Sequence, residues 1–109
     1  LVCSLYEAFV FNEVRKTMAN EGRLAEYFTW RTRDKAEVDL VLTSGSVVLP
    51  IEIKWSKKIS GRDVRGLHSF LEDYPEAKKG YVIYPGEEIL KISERVWAVP
   101  DAWLLGLPG

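Results

Sequence analysis

The sequence has few of the residues that form cross-links or soft-metal sites. It contains one cysteine, Cys3, and one histidine, His68, among 109 residues. A single cysteine excludes an internal disulfide and is typical of a reducing compartment. One histidine cannot build a zinc site, and Cys3 has no histidine near it in the sequence to activate a thiolate. Zinc-binding modules and thiol enzymes are therefore excluded.

Long apolar runs and an excess of charge of either sign are also missing. No apolar stretch approaches the roughly 18 residues that a membrane helix needs, and no charged-then-apolar secretion signal opens the chain. The 15 Lys and Arg residues nearly balance the 16 Asp and Glu residues. A chain that bound nucleic acid by bulk charge would be basic, so any nucleic-acid surface here must be local. We expect a cytoplasmic protein that does not enter a membrane.

Length and composition indicate one globular domain. A chain of 109 residues is too short for two cores, and its 47% apolar and 28% charged residues are an ordinary balance. The chain opens inside an apolar segment without an initiator methionine, so we expect residues 1–109 to be a single domain of a longer protein. The sequence contains no GxxxxGK[ST] phosphate loop and is therefore not itself an ATPase.

Hydrophobic periodicity and turn residues predict an α/β fold. Gly22 is suited to the left-handed position after a first helix, Ser60 and Asp63 form a near capping box, and Pro75 ends the helix that follows. The predicted elements are a helix over 5–19, strands over 24–31, 38–42 and 47–54, a helix over 60–74, strands over 81–84 and 96–99, and a short helix over 102–105. This order predicts an α-β-β-β-α-β sandwich with a mixed sheet.

The hairpin between the second and third strands places acidic residues together. Because side chains alternate along a strand, Asp39, Glu52 and Lys54 share one face. Asp39 and Glu52 are diagonal neighbours about 7–8 Å apart, a separation at which two carboxylates can hold one hard cation such as Mg²⁺. With a turn at Ser44-Gly45, the predicted pairs are Leu42 with Val47, Leu40 with Leu49 and Val38 with Ile51 on the core face, and Glu37 with Glu52 and Asp39 with Pro50 on the other.

The alternative is an ordinary polar strand face that points to water. Two features argue against it. Glu37 directly opposite Glu52 is destabilising unless something positive lies between them, and Pro50 indicates an interrupted ladder just before the charged pair.

Glu7 supplies a third carboxylate. On a helical wheel it falls inside an apolar stripe that contains Cys3, Val10, Phe11, Val14 and Met18. A carboxylate in such a stripe needs a partner or a cation. It either forms a salt bridge to Arg31 or Lys54, or reaches the site of Asp39 and Glu52.

A basic segment follows the third strand. Lys54, Lys57, Lys58, Arg62 and Arg65 are opposed by one acid. The last of them fall in the first turns of a helix, where backbone N–H groups favour phosphate. The segment either contacts a nucleic-acid backbone or is a solvated face. Arg31 lies beside the site in sequence and adds to it.

These residues together resemble the PD-(D/E)xK nuclease superfamily, with Asp39 as the first acid and Glu52-Ile53-Lys54 as the (D/E)xK element. More narrowly, the chain resembles the uncharacterised domain that follows the ATPase domain in many archaeal and bacterial AAA-type ATPases. The superfamily's Pro-Asp is not present, since Val38 precedes Asp39. The stretches that carry the resemblance are Tyr6-Glu7-Ala8-Phe9-Val10, Trp30-Arg31, Glu37-Val38-Asp39, Ile51-Glu52-Ile53-Lys54, residues 66–70 and residues 79–86.

The resemblance implies the fold of restriction endonucleases and archaeal Holliday-junction resolvases, and Mg²⁺ or Mn²⁺ as cofactor. Asp39, Glu52 and Glu7 would be metal ligands, and Lys54 would complete the catalytic set. DNA is the implied substrate, an ATPase domain is the implied partner, and a homodimer is compatible with both. The alternative is a nuclease fold kept as a non-catalytic DNA-holding or docking module of an ATPase. The residues expected to contact DNA are Arg31, Lys57, Lys58, Arg62 and Arg65.

Overall fold

The computed structural model describes residues 2–105, and they form a mixed six-stranded sheet with helices on both faces. The α/β class predicted from the sequence is confirmed. The elements are α1 (Val2–Asn20), β1 (Glu26–Arg31), β2 (Glu37–Ser44), β3 (Val47–Ile53), a 3₁₀ turn (Gly61–Val64), α2 (Arg65–Asp73), β4 (Gly80–Tyr84), β5 (Leu90–Ser93), β6 (Val96–Pro100) and α3 (Ala102–Leu105).

The strands lie in the order β1-β2-β3-β4-β6-β5. The outer pairs β1–β2, β2–β3 and β5–β6 are antiparallel, whereas β3, β4 and β6 run parallel through the centre. The strand β5 was not predicted, because its four residues alternate too briefly to give a period-two signal. Among the described residues, no helix is both long and apolar enough to span a membrane.

The predicted register of the β2–β3 hairpin is wrong by two residues. Leu40 pairs with Ile51 and Leu42 with Leu49, and the turn falls at Gly45-Ser46, with Gly45 at φ +60°. A two-residue loop with glycine first matches the twist of the flanking strands better than a turn that begins at Ser44. Because the shift is even, side chains on β3 keep the faces assigned to them. Glu52 comes one residue after the last ladder pair, Leu40 with Ile51. In this register it lies opposite Asp39 and not opposite Glu37.

A β-bulge interrupts β2 at Asp39. Phe28 pairs with Val41 but Trp30 pairs with Val38, so β2 has one residue more than β1 across Asp39 and Leu40. The extra residue reverses the alternation of side chains. Val38 therefore packs on the α2 side of the sheet and Leu40 on the α1 side, which corrects the prediction that they share one face.

The first helix buries most of the predicted stripe. Val10 and Val14 are buried, and Phe11 and Met18 pack against the same core. Tyr6 is buried as well, whereas the predicted members Cys3 and Glu7 are exposed. Glu7 therefore lies beside the buried stripe and not within it. The helix ends as predicted at Gly22, at φ +71°, with the paired N–H bonds of a Schellman motif.

The second helix packs close to the start of β2 through Gly66. A Cβ atom at this position would overlap the carbonyl group of Glu37. Leu67, which is fully buried, then fills the centre of the core on this side of the sheet. The close approach fixes α2 against the strand that carries Asp39.

Candidate metal centre

Asp39 and Glu52 meet where β2 and β3 separate. The Asp39 N–H donates to Glu52 Oε1 over 3.0 Å, and the Ile53 N–H donates to Asp39 Oδ2 over 2.9 Å. Each carboxyl group therefore accepts a hydrogen bond from a backbone N–H of the opposite strand. Side chains thus replace the ladder bonds that end at Leu40 and Ile51. The two bonds join the acids across the point where the strands separate.

A cleft with a volume of about 590 Å³ and a mixed polar and apolar lining opens beside Asp39, and Glu52 is not among the residues that line it. Its walls are the first turns of α1 and the outer strands β1 and β2. Glu7 and Asp39 both line it, so the structure brings these two acids to one cavity. Arg31 also lines it, and its Nε lies 3.3 Å from Glu37 Oε2. Among residues 2–105, Glu7 forms no ion pair, so neither predicted salt bridge, to Arg31 or to Lys54, is present.

Acidic side chains lie near one another at this point, and their surroundings favour the protonated forms. Burial, followed by the contact with Asp39, raises the pKa of Glu52 well above its ordinary value. The pKa of Glu7 is also raised, first by partial burial and then by the charges of Asp39 and Glu37. Within the described part of the chain, no lysine or arginine pairs with Asp39 or Glu52. The carboxylates therefore lack a compensating positive charge from the protein.

Lys54 points to a different partner. Its Nζ lies 3.2 Å from Asp63 Oδ1, and its N–H donates to the carbonyl of Ile83 over 2.9 Å. Asp63 also accepts hydrogen bonds from the N–H and Oγ of Ser60, at 2.9 and 3.2 Å. The capping interaction predicted for Asp63 is therefore present, and the same carboxylate holds the lysine. Sequence reasoning missed this second role, although Asp63 is the one acid in the basic segment.

The donor set is that of a hard cation. Asp39, Glu52 and Glu7 offer only carboxylate oxygens, which suit Mg²⁺ and Mn²⁺. Over residues 2–105, no three acidic, histidine or cysteine side chains converge closely enough to enclose an ion. Mg²⁺ commonly binds through one or two carboxylates and keeps several waters, so the pair Asp39–Glu52 fits it as an open site.

The predicted nucleic-acid residues are all exposed to solvent. Arg31 lies at the cleft, whereas the other four follow Lys54 along the connection to α2. These four residues are Lys57, Lys58, Arg62 and Arg65.

Residues 3–104 match the family model of a domain of unknown function, DUF4143. The chain belongs to the DUF4143 family. No curated protein matches the sequence.

Among solved structures, this DUF4143 domain is similar to a chain in the half-complex of a tetradecameric assembly of Thermococcus gammatolerans McrB AAA+ hexamers with bound McrC. The TM-score is 0.58 at 14% sequence identity, over 90% of the DUF4143 domain. At that identity the likeness shows a shared fold. The match spans 27% of the other chain.

Proposed function

We propose that this DUF4143 domain is a metal-dependent nuclease domain that hydrolyses phosphodiester bonds of DNA. The observation that carries the proposal is the pair of crossed hydrogen bonds that joins Asp39 and Glu52 at the strand split, beside a cleft that Asp39 and Glu7 line. Two adjacent carboxylates repel each other unless a proton or a cation offsets their charge. Binding of a metal cation would account for two acids at adjacent positions.

Asp39 and Glu52 would hold Mg²⁺ or Mn²⁺, and Glu7 would contribute directly or through water. When bound, the metal supplies Lewis acidity toward a phosphoryl oxygen. The protein's part is to fix the two carboxylates. The N–H groups of Asp39 and Ile53 do this by holding one oxygen of each acid, which leaves the remaining oxygens for ligands.

Lys54 would orient the attacking water and offset phosphate charge. Its ion pair with Asp63 must open for this, because the lysine cannot serve both anions at full strength. The Lys54 side chain is 43% exposed, and ion pairs at such positions contribute only about 0–1 kcal/mol. A substrate phosphate can therefore compete for the lysine.

Arg31, Lys57, Lys58, Arg62 and Arg65 would contact the DNA backbone on either side of the acids. The near-neutral net charge makes this surface local, so binding should weaken steeply with salt. We further propose that the domain acts in the cytoplasm as part of a longer protein that contains an AAA-type ATPase. The sequence resemblance and the likeness to a chain of the McrB–McrC assembly support this attachment.

A second function is a non-catalytic docking or DNA-holding module of an ATPase. Two observations favour it: Lys54 is already held by Asp63, and no three-residue metal cage forms within residues 2–105. A domain that kept the nuclease fold but lost catalytic activity would show both of these features.

Cleavage assays distinguish the two functions. Branched, flapped and linear DNA, and RNA, are incubated with the protein, alone and joined to its full-length ATPase partner, at low salt with Mg²⁺ or Mn²⁺. We expect wild type to cut DNA, Lys54→Ala to abolish cutting while it retains metal binding, and Lys78→Ala, an exposed lysine after α2, to cut normally.

Absence of cutting by wild type on every substrate would remove the nuclease function and leave the docking module. Equal cutting by Lys54→Ala would keep the nuclease but contradict the role given to the lysine.

A further inference from the structure

The sheet face beside α1 is only partly covered. A groove of about 530 Å³ lies between α1 and α3, and its floor consists of side chains from β3, β4 and β6. The lining is almost wholly apolar. Its main members are Val14, Tyr81, Ile83, Trp97, Val99 and Trp103.

Parallel strands require cover on both faces, because their side chains are apolar on both. On the α2 side this holds, since Val82, Val96 and Ala98 are fully buried. On the α1 side, Trp97 and Val99 remain part-exposed. Within residues 2–105, no helix besides α1 and the four residues of α3 covers this face.

Two lysines form the rim of the groove. Lys79 Nζ lies 5.1 Å and Lys91 Nζ 5.4 Å from the centre of the Trp97 ring. Lys91 faces Trp97 across the β5–β6 ladder, so both lysines are on the groove side of the sheet. Within residues 2–105, neither lysine forms an ion pair. The rim therefore presents positive charge to whatever fills the groove.

We propose that this groove docks an amphipathic helix of a partner protein. The apolar face of that helix would lie between α1 and α3, and acidic residues on its flank would pair with Lys79 and Lys91. A helix is about 10 Å wide and supplies apolar anchors at i, i+3, i+4 and i+7, which suits an apolar groove with two lysines at its rim.

A second copy of this chain is the alternative occupant. Helix α1 packs Tyr6, Val10 and Val14 against the sheet, but Val2, Leu5 and Phe9 form an exposed apolar row on the same helix. The two lysines at the rim favour an acidic partner helix instead, because they lie beside Trp97 without an ion pair in the described residues. The oligomeric state distinguishes the two occupants.

Synthetic peptides test this surface by charge exchange. One peptide of about 18 residues, long enough to form a helix, carries leucines at i, i+3, i+4 and i+7 and glutamates on the flank. A second has lysines in place of the glutamates, and a third is a scramble of the first. We expect the glutamate peptide to bind wild type and to shift the indole NMR signals of Trp97 and Trp103 but not that of Trp30.

The double variant Lys79→Glu with Lys91→Glu should bind the glutamate peptide at least about tenfold more weakly and should instead bind the lysine peptide. Binding of the lysine peptide by the double variant would show that the variant is folded. Binding of the scramble as tightly as the glutamate peptide, no binding of any peptide, or a concentration-dependent dimer that perturbs Trp97 would each overturn the proposal. None of these readouts depends on phosphodiester cleavage.

Discussion

At the residue scale, the proposed metal site depends on the pair Asp39–Glu52. Each acid is held by a backbone N–H of the opposite strand, so the two carboxylates keep their positions without a cationic side chain. Repulsion between them is reduced by a proton or by a metal ion. The ion is the ligand whose effect can be measured directly.

Asp39→Asn should remove most of the stabilisation that Mn²⁺ gives to wild type. A ligand that binds only the native state at 100 times its Kd adds about 2.7 kcal/mol to the free energy of unfolding, and the substitution deletes one ligand charge. Melting curves with and without Mn²⁺ measure the effect. Asp73→Asn, an exposed acid at the end of α2, should respond to Mn²⁺ as wild type does. An equal Mn²⁺ shift in Asp39→Asn would count against the metal centre.

Gly66→Ala should destabilise the fold by about 1–3 kcal/mol, the usual range for overpacking. The new Cβ would overlap the Glu37 carbonyl and push α2 away from β2. Gly61→Ala is the matched control, because a Cβ there meets nothing within 4 Å. Urea unfolding of the two variants gives the comparison, and a Gly66 variant as stable as the Gly61 variant would show that the contact relaxes freely.

At the element scale, Asp63 joins the start of the α2 segment to the end of β3. It accepts from Ser60 at the 3₁₀ turn and pairs with Lys54 beyond the last residue of the strand. One carboxylate thus holds both the helix start and the lysine proposed to act on phosphate.

Asp63→Asn should lower the free energy of unfolding by about 1 kcal/mol at neutral pH, as loss of a cap does. The N–H of Ser60, and then Lys54, hold the pKa of Asp63 below its ordinary value of 3.8. Stability from a group with a depressed folded pKa is present above its unfolded pKa and is lost as pH falls through the folded one. The gap between wild type and variant should therefore narrow below about pH 4.

Urea titrations from pH 7 to pH 3 check this dependence. Asp34→Asn, in the exposed turn between β1 and β2, should differ little from wild type at any pH. A gap for Asp63→Asn that stays constant from pH 7 to pH 3 would show that its carboxylate is not the stabilising group.

At the scale of the whole molecule, the sheet should open from its edges. The strands β3, β4 and β6 are each hydrogen-bonded on two sides, whereas β1 and β5 are bonded on one. Local opening begins where backbone bonds are exposed and buried contacts are few. Amide hydrogen exchange should therefore be slowest in Val82 and its neighbours and fastest in β5. Protection of β5 equal to that of β4 would contradict this order.

The sequence by itself determined the order of most elements, because helical and strand periodicities, glycine after α1 and proline after α2 are local signals. It also selected the acids and the lysine, since residue type and spacing along one strand decide which side chains share a face. The side chains of β3 kept their assigned faces despite the error in register because the shift was even, whereas the bulge changed the faces predicted for β2.

Only the tertiary structure decided how those side chains meet. The bulge at Asp39 and Leu40 depends on pairing with β1, and the sequence of β2 contains no local signal that predicts it. The exposure of Glu7 follows from how α1 rotates on the sheet, and the ion pair of Lys54 with Asp63 from where the 3₁₀ turn packs. The apolar groove under Lys79 and Lys91 exists because α1 and α3 leave β4 and β6 uncovered. Each of these arises from contacts between segments distant in sequence, which local patterns do not encode.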